Sequence, residues 1–492
     1  MNKVVTTLEM RKMEKQTFEE QNITPFDLMM KVGQTMYKRY KKDLNLDNMI
    51  ILCGVGNNGG DALVLGEQAF LDGKQVETYI IGENHHQSKE SLAMSKRYEE
   101  KGMLLTYIHT LEELKKNIGS IDDINIIVDG LLGIGLDREV DGVYAEIINW
   151  INTLNKKVLS IDLPSGLHAD TGKIMGVSVN ATYTYTVEAI KQGLLLEDAM
   201  DVVGEIHVIH VDMANIINEK YYVNSFMSPP KRSHNSHKYH YKNVLTIGGQ
   251  PGVMGAITMA GYSALVSGAG LSTVATNVNN EDNMIQAYPE LMYEVFSTKE
   301  ELKNILYKKD AILFGLGMRK ITAFEEMVFD EITNTELPLI LDASGMLLLK
   351  QKTNIQNKRV IITPHYGEFA KLMDISVVEL KKDLVKYVKQ CIVEYGCEIV
   401  LKGPSTIYAT KENMIYLNQG TPALAKAGSG DVLAGILLTY LARNFDIQQG
   451  ILLHMLAAQR ASKEKHIESV LASDIIMNIP IIYSQYDEEE IR

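Results

Sequence analysis

The sequence predicts an α/β fold in two domains, each built around a parallel β-sheet. Its 492 residues are too many for one small fold, because a domain usually holds about 100–200 residues. Short β-branched runs alternate with longer amphipathic stretches, which is typical of parallel β-α-β units. The alternation stops near Val211 and starts again at Asn243, so we expect one α/β domain on each side of that interval.

The predicted strands follow the β-branched runs in chain order. In the first domain they are Met49 to Cys53, Val76 to Ile81, Ile124 to Val128 and Val158 to Ile161, followed by a hairpin-like stretch that ends in GEIHVIHVDM. In the second domain they are Asn243 to Ile247, Ala311 to Phe314, Leu337 to Leu341, Val360 to Ile362 and Ile399 to Leu401. The amphipathic segments between these runs predict the helices of the β-α-β units.

A connector separates the two predicted domains, which we place at residues 1–217 and 243–492 with a linker at 218–242. Its main part, Tyr221 to Lys242, is rich in Pro, Ser, His, Lys and Tyr and contains a Pro-Pro pair. It has neither helical nor strand periodicity. His234, His237 and His240 recur in it without a carboxylate or cysteine, so a solvated connector is favoured over a metal site.

Composition and charge exclude several classes of function. The chain has 49 Lys and Arg, 62 Asp and Glu and a net charge of -13, which disfavours nucleic-acid binding by charge. No apolar run approaches about 18 residues and no signal-like segment opens the chain, so we expect a soluble cytoplasmic protein without a membrane partner. Three cysteines without CxxC spacing predict neither a disulfide framework nor a zinc site.

The strongest local signal is the Gly-rich turn GVGNNGGDALV at Gly54 to Val64, between an apolar run and a helical pattern. Three of its glycines match the G-x-G-x-x-G pattern of a strand-loop-helix phosphate site, although glycines here could serve only a tight turn. Asn57, Asn58 and Asp61 favour the functional interpretation. A helix N-terminus attracts anions, and these side chains also offer oxygens to a cation.

Three carboxylates follow predicted strands of the first domain. Asp61 lies in the first Gly-rich turn, Asp129 precedes a second turn at Gly133 to Gly135, and Asp162 stands in SIDLPSG. Each alone is compatible with a turn or N-cap role. Because strand ends in an open parallel sheet line one crevice, we expect all three to converge on one ligand.

Four segments of the first domain, GVGNNGGDALV, VDGLLGIGL, SIDLPSG and TVEAIKQGLLL, together resemble the NAD(P)H-hydrate epimerase family over most of residues 1–215. The resemblance implies a Rossmann-like three-layer sandwich. It implies a hydrated dinucleotide on Asn57, Asn58, Gly59, Gly60, Asp61, Gly133, Ile134, Gly135, Leu136, Asp137, Arg138 and Glu139. It also implies K⁺ on Asn58, Asp129 and Ser165, and Asp162 at the nicotinamide ring. Lys191 lies in a Lys-Gln-Gly turn that resembles one in the family. The alternative is that this lysine is only a charged surface residue.

The second domain has two Gly-rich segments of its own. One runs from the strand NVLTI through GGQPGVMGA into a helix of small residues, which permits close approach by a ligand or only close packing. In AGSGDVLAG, Asp431 enters a long apolar helix, where free N–H groups favour an anion. An Asp there can accept a proton from a substrate hydroxyl while the amides stabilise a transferring phosphoryl group; otherwise it only lines the first turn.

Six ordered segments of the second domain, GGQPGVMGA, LFGLGM, LDASG, TPHYGE, LKGPST and AGSGDVLAG, resemble the NAD(P)H-hydrate dehydratase family, a branch of the ribokinase-like fold. The resemblance implies a ribokinase-like α/β domain in which Ala256, Gly317, His365 and Asp431 contact the hydrate. It places the adenine nucleotide on Lys402, Gly403, Pro404, Ser405, Thr406 and Gly430. Ser344 replaces the family's usual Asp, so no role is assigned to it.

The two resemblances together imply a bifunctional repair enzyme for hydrated nicotinamide nucleotides. The first domain would epimerise R and S NADH hydrate and NADPH hydrate with K⁺. The second would dehydrate the S form with Mg²⁺ and ADP, or ATP, releasing AMP and phosphate. Asp162 and Asp431 are the expected catalytic residues, and we expect a homo-oligomer. The alternatives are a ribokinase-type small-molecule kinase with a ligand-binding N-terminal domain, a first domain that only senses a ligand or binds protein, and ordinary NAD binding for hydride transfer.

Overall fold

A computed structural model of the chain describes residues 2–216, 219–283, 287–351, 355 and 358–489. Its contacts divide the chain into two compact units, Met1–Tyr222 and Val223–Arg492. The division falls inside the predicted linker. Both units are α/β with mainly parallel sheets, which confirms the predicted fold class.

The first unit begins with a short strand and two helices and continues as alternating strands and helices. Its strands are β1 (Asn2–Val5), β2 (Asn48–Cys53), β3 (Gln75–Ile81), β4 (Thr106–Ile108), β5 (Ile126–Gly130), β6 (Lys157–Ile161), β7 (Tyr183–Val187), β8 (Ile190–Lys191), β9 (Glu205–Ile209) and β10 (Lys220–Tyr222). Its helices are α1 (Thr7–Gln21), α2 (Pro25–Asp43), α3 (Asn57–Leu71), α4 (Lys89–Glu100), α5 (Leu111–Asn117), α6 (Gly142–Thr153) and α7 (Ala199–Val202).

Seven strands form the main sheet of the first unit in the order β4-β3-β2-β5-β6-β7-β9, and every neighbouring pair is parallel. The chain moves outward from β2 through β3 to β4 and then returns to place β5 on the other side of β2. In open parallel sheets such a reversal creates a crevice beyond the carboxyl ends of the two central strands. The loops after β2 and β5 therefore meet where a ligand can bind.

Period-two alternation along β2 gives the first unit three layers. Met49, Ile51 and Cys53 are buried with α2 and α3 on one face, whereas Ile50 and Leu52 are buried with α5 and α6 on the other. A parallel strand covered on both faces has a continuous apolar sequence, as MIILC has. This arrangement agrees with the expected Rossmann-like sandwich.

The second unit follows the same alternation and ends in three long helices. Its strands are β11 (Asn243–Ile247), β12 (Leu271–Asn277), β13 (Met292–Phe296), β14 (Ala311–Phe314), β15 (Leu339–Leu341), β16 (Val360–Ile362), β17 (Glu398–Leu401), β18 (Thr406–Ala409) and β19 (Met414–Leu417). Its helices are α8 (Gly255–Val266), α9 (Lys299–Leu306), α10 (Ala323–Thr333), α11 (Tyr366–Leu372), α12 (Val377–Leu380), α13 (Leu384–Tyr395), α14 (Ser429–Ala442), α15 (Ile447–Glu464) and α16 (Ala472–Glu489).

The sheet of the second unit packs against one buried helix, α14. Its strands run in the order β13-β12-β11-β14-β15-β16-β17-β18-β19, parallel as far as β17, with β18 and β19 antiparallel. Every residue of α14 from Val432 to Ala442 is buried, as expected for a helix that is apolar all round. A Cβ on Gly435 would lie 2.1 Å from the carbonyl oxygen of Ala260, so this glycine allows α14 to pack closely against α8.

Two predictions of local structure are wrong. The stretch that ends in GEIHVIHVDM is not a hairpin, because β7 and β9 are parallel neighbours joined through β8 and α7. The predicted linker is not wholly solvated: Lys220–Tyr222 forms β10, and Val223 and Phe226 are each 5% exposed. Its β-branched and aromatic side chains drive that burial. In the described part of the chain, no helix combines the length and apolar character needed to cross a membrane.

Candidate active sites

A cleft of about 810 Å³ opens at the crevice between β2 and β5. Ten of the residues expected to hold a dinucleotide line it: Asn57, Asn58, Asp61, Gly133, Ile134, Gly135, Leu136, Asp137, Arg138 and Asp162. Gly59, Gly60 and Glu139 are not among the lining residues. The two glycines lie within α3, where they serve packing instead.

Gly54 lets the loops after β2 and β5 meet backbone to backbone, and Gly59 lets the start of α3 pack against Gly54. A Cβ on Gly54 would lie 1.8 Å from the carbonyl oxygen of Leu131, and a Cβ on Gly59 would lie 2.1 Å from that of Gly54. Gly56 is the N-cap residue of helix α3, and it has no side chain that could cap the helix. Its first backbone N–H groups are therefore free of a side-chain cap, as suits an anion site.

Asp129 is the centre of a buried polar cluster. Its carboxylate accepts hydrogen bonds from Ser165 Oγ at 2.5 Å, from Ser165 N at 2.9 Å and from Ser160 Oγ at 2.8 Å. Asn58 Nδ2 donates to the carbonyl oxygen of Leu132 at 2.9 Å, and Leu132 N donates to Ser165 Oγ at 2.8 Å. Burial raises the pKa of Asp129, against the opposing effect of the Ser165 hydrogen bonds.

The surroundings of Asp129 suit a monovalent cation. In the described ranges no basic side chain pairs with this carboxylate, which is fully buried. Carboxylate, hydroxyl, amide and carbonyl oxygens are grouped here, and such hard donors prefer hard cations. The residues expected to bind K⁺ therefore lie together, but Asp129 is not among the residues that line the cleft. The expectation that all three aspartates face one ligand is wrong for Asp129, because Ser165 and Ser160 bind its oxygens.

Asp162 follows β6 with a left-handed backbone, at a φ of 65°. Its Oδ1 accepts hydrogen bonds from Lys191 Nζ at 2.5 Å and from Val187 N at 3.0 Å. Lys191 has no exposed surface and also donates to the carbonyl oxygen of Val187 at 2.8 Å. The interpretation of Lys191 as surface charge is therefore wrong, because this lysine is the buried counter-ion of Asp162.

Asp61 and Glu14 add two more carboxyl groups to the cleft lining. Among the described residues neither side chain forms a hydrogen bond or an ion pair. Burial raises the pKa of Asp61 well above its usual range, and the charges of Asp162 and Glu14 raise it further. Burial also raises the pKa of Glu14.

Helix α1 supplies part of the cleft that the sequence analysis did not identify. Its lining residues are Met10, Arg11, Glu14 and Phe18. No motif marks them, but one signal was available: Glu14 follows the spacing of the buried Met10, Met13 and Thr17. A carboxylate on the apolar face of an amphipathic helix indicates a polar site in that position.

In the second unit, His365 and Lys402 follow the neighbouring strands β16 and β17. Lys402 N donates to the carbonyl oxygen of Pro364 at 2.8 Å. Lys402 Nζ lies 3.2 Å from Oδ1 of Asp342, a carboxylate that is 2% exposed. A Cβ on Gly430 would lie 3.4 Å from Lys402 Nζ. The ammonium group therefore reaches the first turn of α14.

Asp431 occupies that first turn, and no side chain caps the helix. The preceding Gly428 has a φ of 91°, which favours glycine. Burial and the neighbouring charge of Asp342 raise the pKa of Asp431 to about 6, against the opposing effect of Lys402. A carboxylate with that pKa can take a proton from a hydroxyl group, while free N–H groups beside it can bind a phosphoryl group.

The remaining predicted residues of this site lie on adjacent segments. Ala256 is in the first turn of α8, and Met259 of the same helix approaches Gly428, with its sulfur 3.0 Å from a Cβ placed there. Gly317 has a φ of 63°. Ser344 Oγ donates to the carbonyl oxygen of Met318 at 2.8 Å. The nucleotide-binding candidates Gly403, Pro404, Ser405 and Thr406 join β17 to β18.

Both units match known families. Residues 244–481 match the family described as NAD(P)H-hydrate dehydratase, and residues 25–193 match that described as YjeF-related protein N-terminus. A crystal structure of ADP/ATP-dependent NAD(P)H-hydrate dehydratase from Bacillus subtilis is 28% identical, with a TM-score of 0.47, and covers 53% of this chain and 95% of that one.

Two relatives match this chain over nearly their whole length. The bifunctional NAD(P)H-hydrate repair enzyme Nnr of Coxiella burnetii is 31% identical over 94% of this chain and 96% of its own. The enzyme of the same name from Escherichia coli is 29% identical over 98% of this chain and 95% of its own. The chain therefore belongs to the family of bifunctional NAD(P)H-hydrate repair enzymes.

Proposed function

We propose that the cleft of the first unit epimerises the R and S forms of NADH hydrate and NADPH hydrate, and that the site at α14 dehydrates the S form with ADP. The observation that carries this proposal is the presence of two separate carboxylate sites in one chain. Asp162 is paired with the buried Lys191, whereas Asp431 stands at an uncapped helix N-terminus. The bifunctional relatives support the same division.

Epimerisation needs proton transfer at the C6 substituent of the hydrated ring. Asp162 lines the cleft, and its ion pair with the buried Lys191 fixes the position of its side chain, so we assign Asp162 as the base. The uncapped start of α3 suits the phosphates of the dinucleotide. The other lining residues expected to bind it are Asn57, Asn58, Asp61 and residues 133–138.

We assign the potassium site to Asn58, Asp129 and Ser165. The Asp129 carboxylate is fully buried and has no basic partner among the residues that the structure describes, which supports this assignment. When bound, the ion supplies the positive charge that neutralises this carboxylate. Asn58 and Ser165 also bond to the loop after β5, so the same residues hold that loop in place for the substrate.

Dehydration begins when Asp431 takes the proton of the C6 hydroxyl group as that oxygen attacks the terminal phosphoryl group of ADP and AMP leaves. The free N–H groups of α14 stabilise the phosphoryl charge. The ring nitrogen then expels phosphate, and loss of a C5 proton restores the dihydropyridine. We assign Lys402, residues 403–406 and Gly430 to the nucleotide, and Ala256, Gly317 and His365 to the hydrate.

Mg²⁺ accompanies the nucleotide in this proposal. Asp342 and Asp431 lie beside Lys402, and carboxylate oxygens suit an ion that also binds phosphates. The ion supplies charge neutralisation to the nucleotide. In this proposal, the carboxylates of Asp342 and Asp431 orient the nucleotide and the hydrate around Lys402.

We also expect the enzyme to act in the cytoplasm as a homo-oligomer. All three cysteines are free and buried, which suits a reducing compartment. Light scattering on the purified full-length protein measures the oligomeric state, and fractionation of cells measures the location.

The first experiment follows regenerated NADH by its near-ultraviolet absorbance. Purified protein, K⁺ and Mg²⁺ are incubated with mixed R and S NADH hydrate and ADP, ATP or no nucleotide, beside a control without enzyme for spontaneous epimerisation. Complete conversion with ADP supports both activities and the choice of nucleotide. Conversion that stops at the S fraction contradicts the epimerase assignment. A stable phosphorylated product without NADH identifies a small-molecule kinase instead.

Two variants test the separation of the sites. We expect Asp431→Asn to abolish dehydration and to preserve epimerisation, measured by chromatographic separation of the epimers. We expect Asp162→Asn to do the reverse. Loss of both activities from either folded variant would contradict the assignment.

A further inference from the structure

The epimerase cleft contains a second carboxyl group, Asp61, on a different element from Asp162. Lys191 and Val187 donate hydrogen bonds to Asp162, whereas Asp61 has no such partner among the described residues. We propose that Asp61 is the general acid of epimerisation and works with Asp162 as the base. This inference rests on the epimerase function proposed above.

The surroundings of Asp61 favour its protonated form. A carboxyl group that is partly buried in a cleft and has no counter-ion is more stable neutral than charged. The charged groups that shift its pKa are Asp162, Glu14 and Lys191, and the first two raise the pKa further above the usual range. Lys191 opposes this effect only in part, because it is bound to Asp162. Two carboxyl groups in different surroundings, one paired with a lysine and one without a partner, can act as base and acid in one site.

The proposed epimerisation breaks and re-forms the C6–O bond, with every proton and electron pair accounted for. Asp61 gives its proton to the C6 hydroxyl group as the C6–O bond breaks, and the lone pair of the ring nitrogen forms a C=N⁺ bond to C6. Water leaves, and another water adds to the opposite face of C6. Asp162 accepts the proton of that water, and the lone pair returns to the nitrogen. Exchange with solvent then restores the starting protonation of both carboxyl groups.

Glu14 is the other candidate for the acid, and its surroundings fit the role less well. Burial raises the pKa of Glu14 and Asp162 raises it further, but Lys191 and the neighbouring Arg11 both oppose this shift. Asp61 has no arginine among the groups that shift its pKa. It also lies one turn into α3, next to the polar turn that begins at Asn57.

The test uses the full-length protein with mixed NADH hydrate, ADP, Mg²⁺ and K⁺. The S fraction reacts directly in a fast phase, and the R fraction reacts in a slow phase limited by epimerisation. We expect Asp61→Asn to slow the second phase by about 100-fold or more, as for loss of a general acid, with little change in the apparent KM. The fast phase should keep its rate, which shows that the protein is folded. Asp61→Glu should recover part of the slow phase.

Glu14→Gln is the discriminating variant. This variant should still show the slow phase. The rate of that phase should begin to decline at a lower pH than in the wild type, because the variant lacks a negative neighbour that raises the pKa of Asp61. A wild-type slow phase in Asp61→Asn, or its loss only in Glu14→Gln, would overturn the assignment. A wild-type protein without any enzymatic slow phase would instead overturn the proposed epimerase function.

Two readouts test the chemistry separately from the rate. In water enriched in ¹⁸O, the epimerised hydrate should carry the label, and unlabelled product would overturn the cleavage of the C6–O bond. Because folding raises the pKa of Asp61, the stability of the wild type falls as pH rises through that pKa. Asp61→Asn should therefore raise the Tm at neutral pH and lose this advantage in acid. A Tm difference that does not vary with pH would contradict a neutral Asp61.

Discussion

Lys191 Nζ lies 2.5 Å from Oδ1 of Asp162, and the lysine has no exposed surface. A buried charge without its partner is strongly destabilising, so each residue explains the other's presence in the interior. The same contact holds the side chain of Asp162 in place where the nicotinamide ring is expected. The pair is therefore both a structural element of the first unit and the base of the proposed epimerase.

Replacing Lys191 by Met should destabilise the first unit by about 3–5 kcal/mol, because the Asp162 carboxylate is left buried without a cation. Epimerisation should fall with it. Denaturant unfolding measures the first effect. Lys41→Met is the matched control, since its ion pair with Asp72 is largely exposed and should contribute less than about 1 kcal/mol. Equal losses of unfolding free energy in Lys191→Met and Lys41→Met would contradict the role of Lys191 as a buried counter-ion.

The rate of dehydration should rise with pH through about 6, the pKa to which burial and Asp342 raise Asp431. The base must be ionised to accept a proton, so activity is lost on the acid side. Removing the negative charge in Asp342→Asn should move this rise to lower pH. The pH dependence of kcat/KM for the S epimer measures both effects, and a rate that is flat around pH 6 would count against Asp431 as the base.

Gly59→Ala should disrupt the loops of the first cleft, because its Cβ would lie 2.1 Å from the carbonyl oxygen of Gly54. Overpacking of this kind costs about 1–3 kcal/mol, and epimerisation should decrease. Gly56→Ala is the control, since a Cβ there meets nothing within 4 Å. Calorimetry and the slow-phase rate measure the difference. Similar melting temperatures for Gly59→Ala and Gly56→Ala would contradict the close packing of Gly59 against Gly54.

Asp129→Asn should abolish stabilisation of the first unit by K⁺. The wild type should melt at a higher temperature in potassium chloride than in choline chloride, because an ion that binds only the folded protein stabilises it. The variant lacks the charge that binds the ion and leaves buried donors without an acceptor, which costs about 1–3 kcal/mol. Ser160→Ala removes one hydrogen bond to Asp129 but keeps its charge, and should keep the K⁺ effect. If Asp129→Asn also kept it, the ion would bind elsewhere.

Much of the fold follows from local sequence. Strands such as β2, β3 and β6 are rich in aliphatic and β-branched residues, and their predicted bounds differ from the structure by one residue at most. The antiparallel strands β18 and β19 were not predicted, because a short antiparallel pair has no distinctive pattern. β9 was assigned to a hairpin, since the sequence does not reveal the direction in which a crossover returns.

The cleft was predictable where one loop carries the whole signal, as at Asn57 or Gly133. It was not predictable where a single residue arrives from a distant element. Nothing next to Lys191 in the sequence indicates that its ammonium group turns inward, and Glu14 comes from a helix that has no motif. Such groups are identified by what they meet in space, and one sequence alone does not contain that information.

The left-handed backbone at Asp162 predicts which residue this position should carry in relatives that have lost the reaction. Its φ of 65° is a conformation that glycine adopts freely and most other residues avoid. A descendant that lost the reaction but kept the fold could drift to glycine here and relax the turn. An aspartate retained at the end of β6 is thus a diagnostic of working chemistry, and its replacement by glycine would identify a lineage that has become a scaffold.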